Sequence, residues 1–140
     1  MINSRSLNDL HPTVKLLCEQ FITKCKEAGI NIAITSTYRD FESQQVLYDQ
    51  GRTKPGKIVT NAKPGYSYHN FRLAFDFVPT FDNKAVWDDN LLFFLCGDLG
   101  KKCGLIWGGD FKTFKDRPHF QYTQGLSLAD FRAGKTIHAV

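Results

Sequence analysis

The chain has 140 residues, 42% of them hydrophobic and 23% charged, which excludes a disordered polymer and leaves enough apolar side chains for one core. Its longest apolar stretches, such as Leu91 to Cys96, fall far short of the ~20 residues that cross a bilayer, and the N-terminal MINSRSLNDLHP has neither the apolar centre nor the cleavage site of a secretory signal. The balance of 18 basic and 14 acidic residues, net +4, suits an anionic partner such as a cell-wall polymer or nucleic acid, a balance shared by many housekeeping proteins, and the lack of a basic run interleaved with aromatics argues against nucleic acid.

Asn8 to Ala28 is predicted as a helix, with Val14, Leu17, Phe21 and Cys25 at helical spacing, Pro12 in the first turn and Gly29 as the stop. Ile30 to Ser36 alternates as a strand with one buried face. A second helix runs from Asp40, its N-cap, to Gln50, with Gly51 as the stop. Residues 51–70 carry three glycines and two prolines with little periodicity, a loop long enough to be functional, and Ile58, Val59 and Tyr66 favour a packed one. Leu73 to Val78 is a strand ended by Pro79. Asp88 or Asp89 caps a helix that Gly104 stops. Leu105 to Trp107 and Arg117 to Tyr122 read as strands around a Gly108-Gly109 turn, and Ser127 with Asp130 forms a capping box for a short last helix. Helices and strands without a regular βαβ series predict an α+β fold. Cys18 and Cys25, and likewise Cys96 and Cys103, stand seven residues apart, two helical turns; buried reduced thiols are expected, with a disulfide between the two helices left open.

Asp76 is the most informative residue. Alternation puts Leu73, Phe75 and Phe77 on one face of its strand and Ala74, Asp76 and Val78 on the other. A carboxylate among such neighbours is costly to bury alone, so it needs a metal or a cation. His69 lies just before this strand and His119 in a later one, on the same face as Gln121. Two histidines and a carboxylate form a known catalytic zinc set that leaves a position for water. Asp116, three residues before His119, is placed to move protons, and Arg39 at the end of the first strand to steady an oxyanion. Each has a plainer reading: Asp76 paired structurally with Arg39 or Arg72, Asp116 in a turn, Arg39 solvated ahead of its helix, and each histidine an ordinary core or surface residue.

Taken in order, STYRDFESQQVLYDQGRTKPGKIVTNAKPGYSYHNFRLAFDFVP, WGGDF and DRPHFQ resemble the LAS-type zinc peptidases, and more closely their L-alanyl-D-glutamate endopeptidase branch, which includes phage endolysins and bacterial wall hydrolases. The resemblance runs from about Leu10 to Tyr122. Its most specific pieces are Ser67, His69, Ala74 and Asp76 in SxHxxxxAxD, the stretch from Tyr38 to Gly56, and the DxxH pair. It implies zinc (Zn2+) held by His69, Asp76 and His119, Asp116 as catalytic acid/base, Arg39 as stabiliser of the tetrahedral intermediate, Ser67 in the substrate pocket and Gln45 in a supporting role. It also implies a small domain with a central antiparallel sheet flanked by helices, shared with the Hedgehog signalling domain. The implied organisation is one peptidase domain over 1–140 without a separate wall-binding domain, acting as a monomer on the peptidoglycan stem peptide, with no nucleic acid and no membrane insertion. Synthesis in the cytoplasm without a signal peptide then implies action on the wall after holin-type release. The expected reaction is hydrolysis of the L-Ala–D-Glu bond. The alternatives are D,D-carboxypeptidase activity on D-Ala-D-Ala ends and a non-catalytic, zinc-stabilised wall-binding module. Arg72 departs from the pattern: the family has Gly there, which would permit a special backbone conformation or close packing. A long cation at that position could pair with Asp76 or face the anionic wall.

Overall fold

In the computed structural model, which describes residues 1–139, the first helix, α1, spans Pro12–Glu27. It starts four residues later than Asn8 because the residue before a proline is pushed out of the helical region: His11 has ψ 139°, and its Nδ1 accepts the Thr13 N–H instead. Leu7–Asp9 form a separate 3-10 turn capped by Ser6. The remaining elements are β1 (Asn31–Ser36), α2 (Phe41–Asp49), β2 (Ala74–Phe81), β3 (Lys84–Ala85), α3 (Asn90–Lys102), β4 (Ile106–Trp107), β5 (His119–Gln121) and α4 (Leu128–Arg132). Asp40, Asp89 and Ser127 cap α2, α3 and α4, each accepting a backbone N–H, and Ser127 and Asp130 complete the capping box.

The strands form one sheet in the order β1-β2-β5-β4, with β3 beside the end of β2, and every pairing is antiparallel. With the helices packed against it, this is the expected α+β architecture. One face of the sheet is an aromatic core: the Phe21 ring from α1 lies 5.1 Å from Phe77 and 4.8 Å from Phe120, and Phe77 stacks on Phe120 at 5.2 Å. The expectation that Pro79 ends the second strand is corrected. Pro79 pairs with Ile32 and its carbonyl accepts the Val86 N–H, so the strand runs to Phe81; a proline is tolerated near the end of the strand, where few ladder bonds remain to lose. β5 is shorter than Arg117–Tyr122, since only residues 119–121 pair in the ladder.

All four cysteines are free thiols. Cys18, Cys25 and Cys96 are fully buried between helices and sheet, and burial pushes the Cys18 thiol up to about 12.

The 51–70 segment is ordered by its own polar contacts. Arg52 donates to the carbonyls of Tyr48 and Thr60 and to Asn61, and Arg132 from α4 donates to the Gly65 carbonyl at 2.9 Å. Ile58, Val59 and Tyr66 are each more than half exposed, so they do not pack inward as expected. They lean over a surface groove instead.

Candidate metal centre and active site

Sheet register brings the central residues together. β2 and β5 pair so that Asp76 stands directly opposite His119, and β1 brings Ser36 opposite Asp76 across a bulge. His69 reaches the same point from the 3-10 turn Tyr68–Phe71, whose N-cap Ser67 accepts the His69 N–H. One oxygen of Asp76, Oδ1, lies 3.2 Å from His69 Nε2 and 3.1 Å from His119 Nδ1.

The hydrogen bonds on the far side of each ring decide what lies between these atoms. His69 Nδ1 is 2.8 Å from the Thr37 carbonyl, which can only accept, so Nδ1 carries the proton. His119 Nε2 donates in the same way to Gln121 Oε1 at 2.8 Å. In the neutral rings the other two nitrogens are therefore lone pairs, and both face a carboxylate oxygen. Three acceptors pointed at one another need a positive charge among them, supplied either by protons on the rings or by a metal ion. The three donor atoms lie within 4.8 Å of one another, and two imidazoles with one carboxylate are ordinary metal ligands, so the residues fit a metal ion. The outer partners Thr37 and Gln121 fix the tautomers a metal requires. The electrostatics agree: burial alone would raise the Asp76 carboxyl, but the two histidines hold it well below the usual carboxylate range. For His119 burial pulls downward, and Asp76 reverses this and raises it.

The histidines and Asp76 sit in a cleft of about 540 Å³ whose walls include Arg39, Ser67, Tyr66, Phe111 and Asp116. Asp116 is held by a tight turn: its N–H donates to the Gly108 carbonyl at 3.0 Å and its carbonyl accepts the His119 N–H at 3.1 Å. The loss of water around its carboxyl raises its pKa, and the nearby charge of Asp76 adds to this against His119, His69 and Arg39. Arg39 is anchored by Nη1 donating to Gln44 Oε1 at 3.0 Å, with Nη2 3.4 Å from Ser36 Oγ, and its buried Nε has no partner among the described residues. Burial lowers its pKa, partly offset by Asp76 and Asp116, yet a guanidinium stays charged.

Two expectations are corrected. Gln45 does not approach the cleft: it is exposed on α2 and donates to Asp49 at 2.7 Å. Its neighbour Gln44 is the fully buried one, tying Arg39 to the 51–70 loop by donating to the Ala62 carbonyl at 2.8 Å. Arg72 neither pairs with Asp76 nor faces the cleft. It adopts the left-handed conformation for which glycine is suited (φ 66°), donates to the Asp9 carbonyl at 2.8 Å, and stacks over Tyr38 at 3.8 Å. The structural pairing of Asp76 with Arg39 or Arg72 is absent as well. Asn70, buried and donating to the Arg39 carbonyl, is a further support that sequence reasoning missed; its only signal was its place beside His69.

Comparison with known proteins bears on this arrangement. The family model described as D-alanyl-D-alanine carboxypeptidase matches residues 60–122, the segment that holds all three metal-ligand candidates and Asp116. The peptidoglycan L-alanyl-D-glutamate endopeptidase CwlK of Bacillus subtilis (strain 168) is 41% identical over 123 residues, covering 81% of this chain and 74% of that protein. The L-alanyl-D-glutamate peptidase of Listeria phage A118 is 30% identical over 139 residues, 94% of this chain but only 46% of its own length. Among solved structures, the Serratia marcescens L-Ala D-Glu endopeptidase ChiX superposes with a TM-score of 0.63 at 22% identity, over 93% of this chain and 92% of that one. VanYB in complex with D-alanine-D-alanine superposes with a TM-score of 0.66 at 17% identity, over 97% and 90%; at such identities the likeness is one of fold.

Proposed function

The chain belongs to the LAS-type metallopeptidases, on the branch of the peptidoglycan L-alanyl-D-glutamate endopeptidases, and from that premise we propose that it hydrolyses the L-Ala–D-Glu bond of the peptidoglycan stem peptide with zinc as its metal. The observation that carries this reading is the set of three mutually facing acceptors, His69, Asp76 and His119, beside a carboxyl of raised pKa in one cleft. His69 Nε2, Asp76 Oδ1 and His119 Nδ1 would hold the zinc, which when bound would supply a Lewis acid and lower the pKa of a water to about 7.

The chain's own residues do the rest. Asp116 takes the proton of the attacking water, a step for which its raised carboxyl pKa makes it the stronger base, and returns that proton to the leaving amine. Arg39, clamped by Gln44, presents a fixed cation to the developing oxyanion; because the clamp forms before substrate arrives, little reorganisation is needed during the reaction. Ser67, on the cleft wall, offers a hydroxyl to the substrate backbone. We propose further that it acts at the wall after holin-type release from the cytoplasm, a reading in keeping with a phage peptidase among its relatives. No helix among the described residues is long and apolar enough to cross a membrane.

A digest of purified peptidoglycan with and without a chelator, read by mass spectrometry, tests this reading. New peptides beginning with D-Glu that vanish with the chelator are expected. Loss of terminal D-Ala instead would make the protein a D,D-carboxypeptidase, and no release from zinc-loaded protein would make it a binding module.

A further inference from the structure

Beyond Asp116 the cleft continues into a second groove of about 720 Å³, which shares Val59, Thr60, Tyr66, Phe111 and Asp116 with the first but contains none of the metal-ligand candidates. Its outer lip is apolar and exposed: Ile58 is 56% exposed and Phe114 82%. Phe114 is held at φ 53°, a backbone region that bulky residues rarely occupy. Lys115 is the one cationic side chain lining the groove among the described residues. Its ammonium rests 3.2 Å from the Phe111 carbonyl and 3.5 Å from that of Gly109, and it forms no ion pair among the described residues. A cation satisfied only by neutral carbonyls at a groove rim remains open to an incoming anion.

The position of Asp116 sets the direction of the substrate. A group that protonates the leaving amine must stand beside the leaving half of the peptide, and the space past Asp116 is this second groove. The leaving half begins with D-Glu. Only one of its two carboxyls enters the next peptide bond, so the other stays free as an anion within a few bonds of the scissile nitrogen. We propose that the second groove is the subsite for the leaving half of the stem peptide, with Lys115 pairing with the free carboxylate of its D-Glu and Phe114 and Ile58 covering the chain beyond. The inference rests on the proposed role of Asp116 and makes Lys115 a determinant of specificity.

The test uses the full zinc-loaded chain and two soluble peptides containing L-Ala–D-Glu, one with the D-Glu carboxylate free and one with it amidated. The free acid is expected to show a KM lower by about tenfold, the scale of one charge-assisted contact worth ~1.4 kcal/mol. K115Q should erase that preference by raising KM for the acid to that of the amide. Equal KM values in the wild type, or a preference that survives K115Q, overturn the subsite. A second arm needs no turnover: titration of a dipeptide with N-terminal D-Glu, the product mimic, should shift the backbone amide resonances of positions 114 and 115 in the wild type and not in K115Q. Absence of those shifts overturns the subsite. If neither peptide is cut, the hydrolase reading fails, and the titration still decides the groove.

Discussion

Asp116 and Gln44 do different work, and substituting them should have different signatures. Asp116→Ala leaves all three ligand candidates in place, so zinc content measured by mass spectrometry should be unchanged while kcat falls by roughly 10²–10⁴-fold, the usual worth of a positioned acid–base. His119→Ala should lose the metal itself. Gln44→Leu strips partners from Arg39 and the Ala62 carbonyl at a fully buried site, so we expect a loss of about 1–3 kcal/mol in chemical unfolding for each polar group left unpaired, with kcat reduced. Asp76 was legible because a lone carboxylate in an apolar alternating strand demands a partner. Gln44 was not, because nothing in a nine-residue helix with mixed polar faces says which of two adjacent glutamines points inward. That choice is made by Arg39 and the Ala62 carbonyl, which reach the helix from elsewhere in the fold.

At the scale of elements, the turn around Gly108 holds Asp116, the proposed acid, against the strand of His119. A Cβ on Gly108 would collide with the Asp116 carbonyl oxygen and come within 3.0 Å of His119 Cβ, and a backbone atom cannot swing away. Gly108→Ala should therefore cost about 1–3 kcal/mol, read by thermal unfolding, and displace Asp116, so activity should fall even where folding is retained. The start of α2 depends on Asp40, which accepts the Ser43 N–H at 2.8 Å and the Ile2 N–H at 2.7 Å; these bonds, the Ser43 one foremost, lower its pKa. Because the folded-state pKa lies below the unfolded one, the stabilisation is full above the ordinary carboxylate pKa and is lost as pH falls through that value toward the folded one. Asp40→Asn should lower Tm at neutral pH, and the difference from wild type should close on acidification. Caps and glycine stops were readable in the sequence because they act within a few residues. The start of α1 was misplaced because a proline was weighed as a helix opener without its effect on His11.

Across the whole molecule, the two halves of the candidate metal centre, His69 with Asp76 and then His119, are distant in the chain and meet through the sheet. A metal that binds the folded state alone stabilises it by about 2.7 kcal/mol at a free concentration one hundred times Kd. Adding a chelator should therefore lower Tm in a calorimetric scan, and His69→Ala should abolish that difference. The amino-terminal residues are tied into the same assembly. Ile2 bonds to Asp40, Ser4 exchanges backbone bonds with Tyr38 and Thr37, and Asn3 bridges to Arg39 itself. This lacing has a practical consequence for handling the protein: an affinity tag or fusion partner joined ahead of residue 2 would pull directly on the link between β1 and α2 that carries Arg39. Purification handles therefore belong elsewhere on the chain, and a weakly active tagged preparation should be assayed again after the tag is cleaved off.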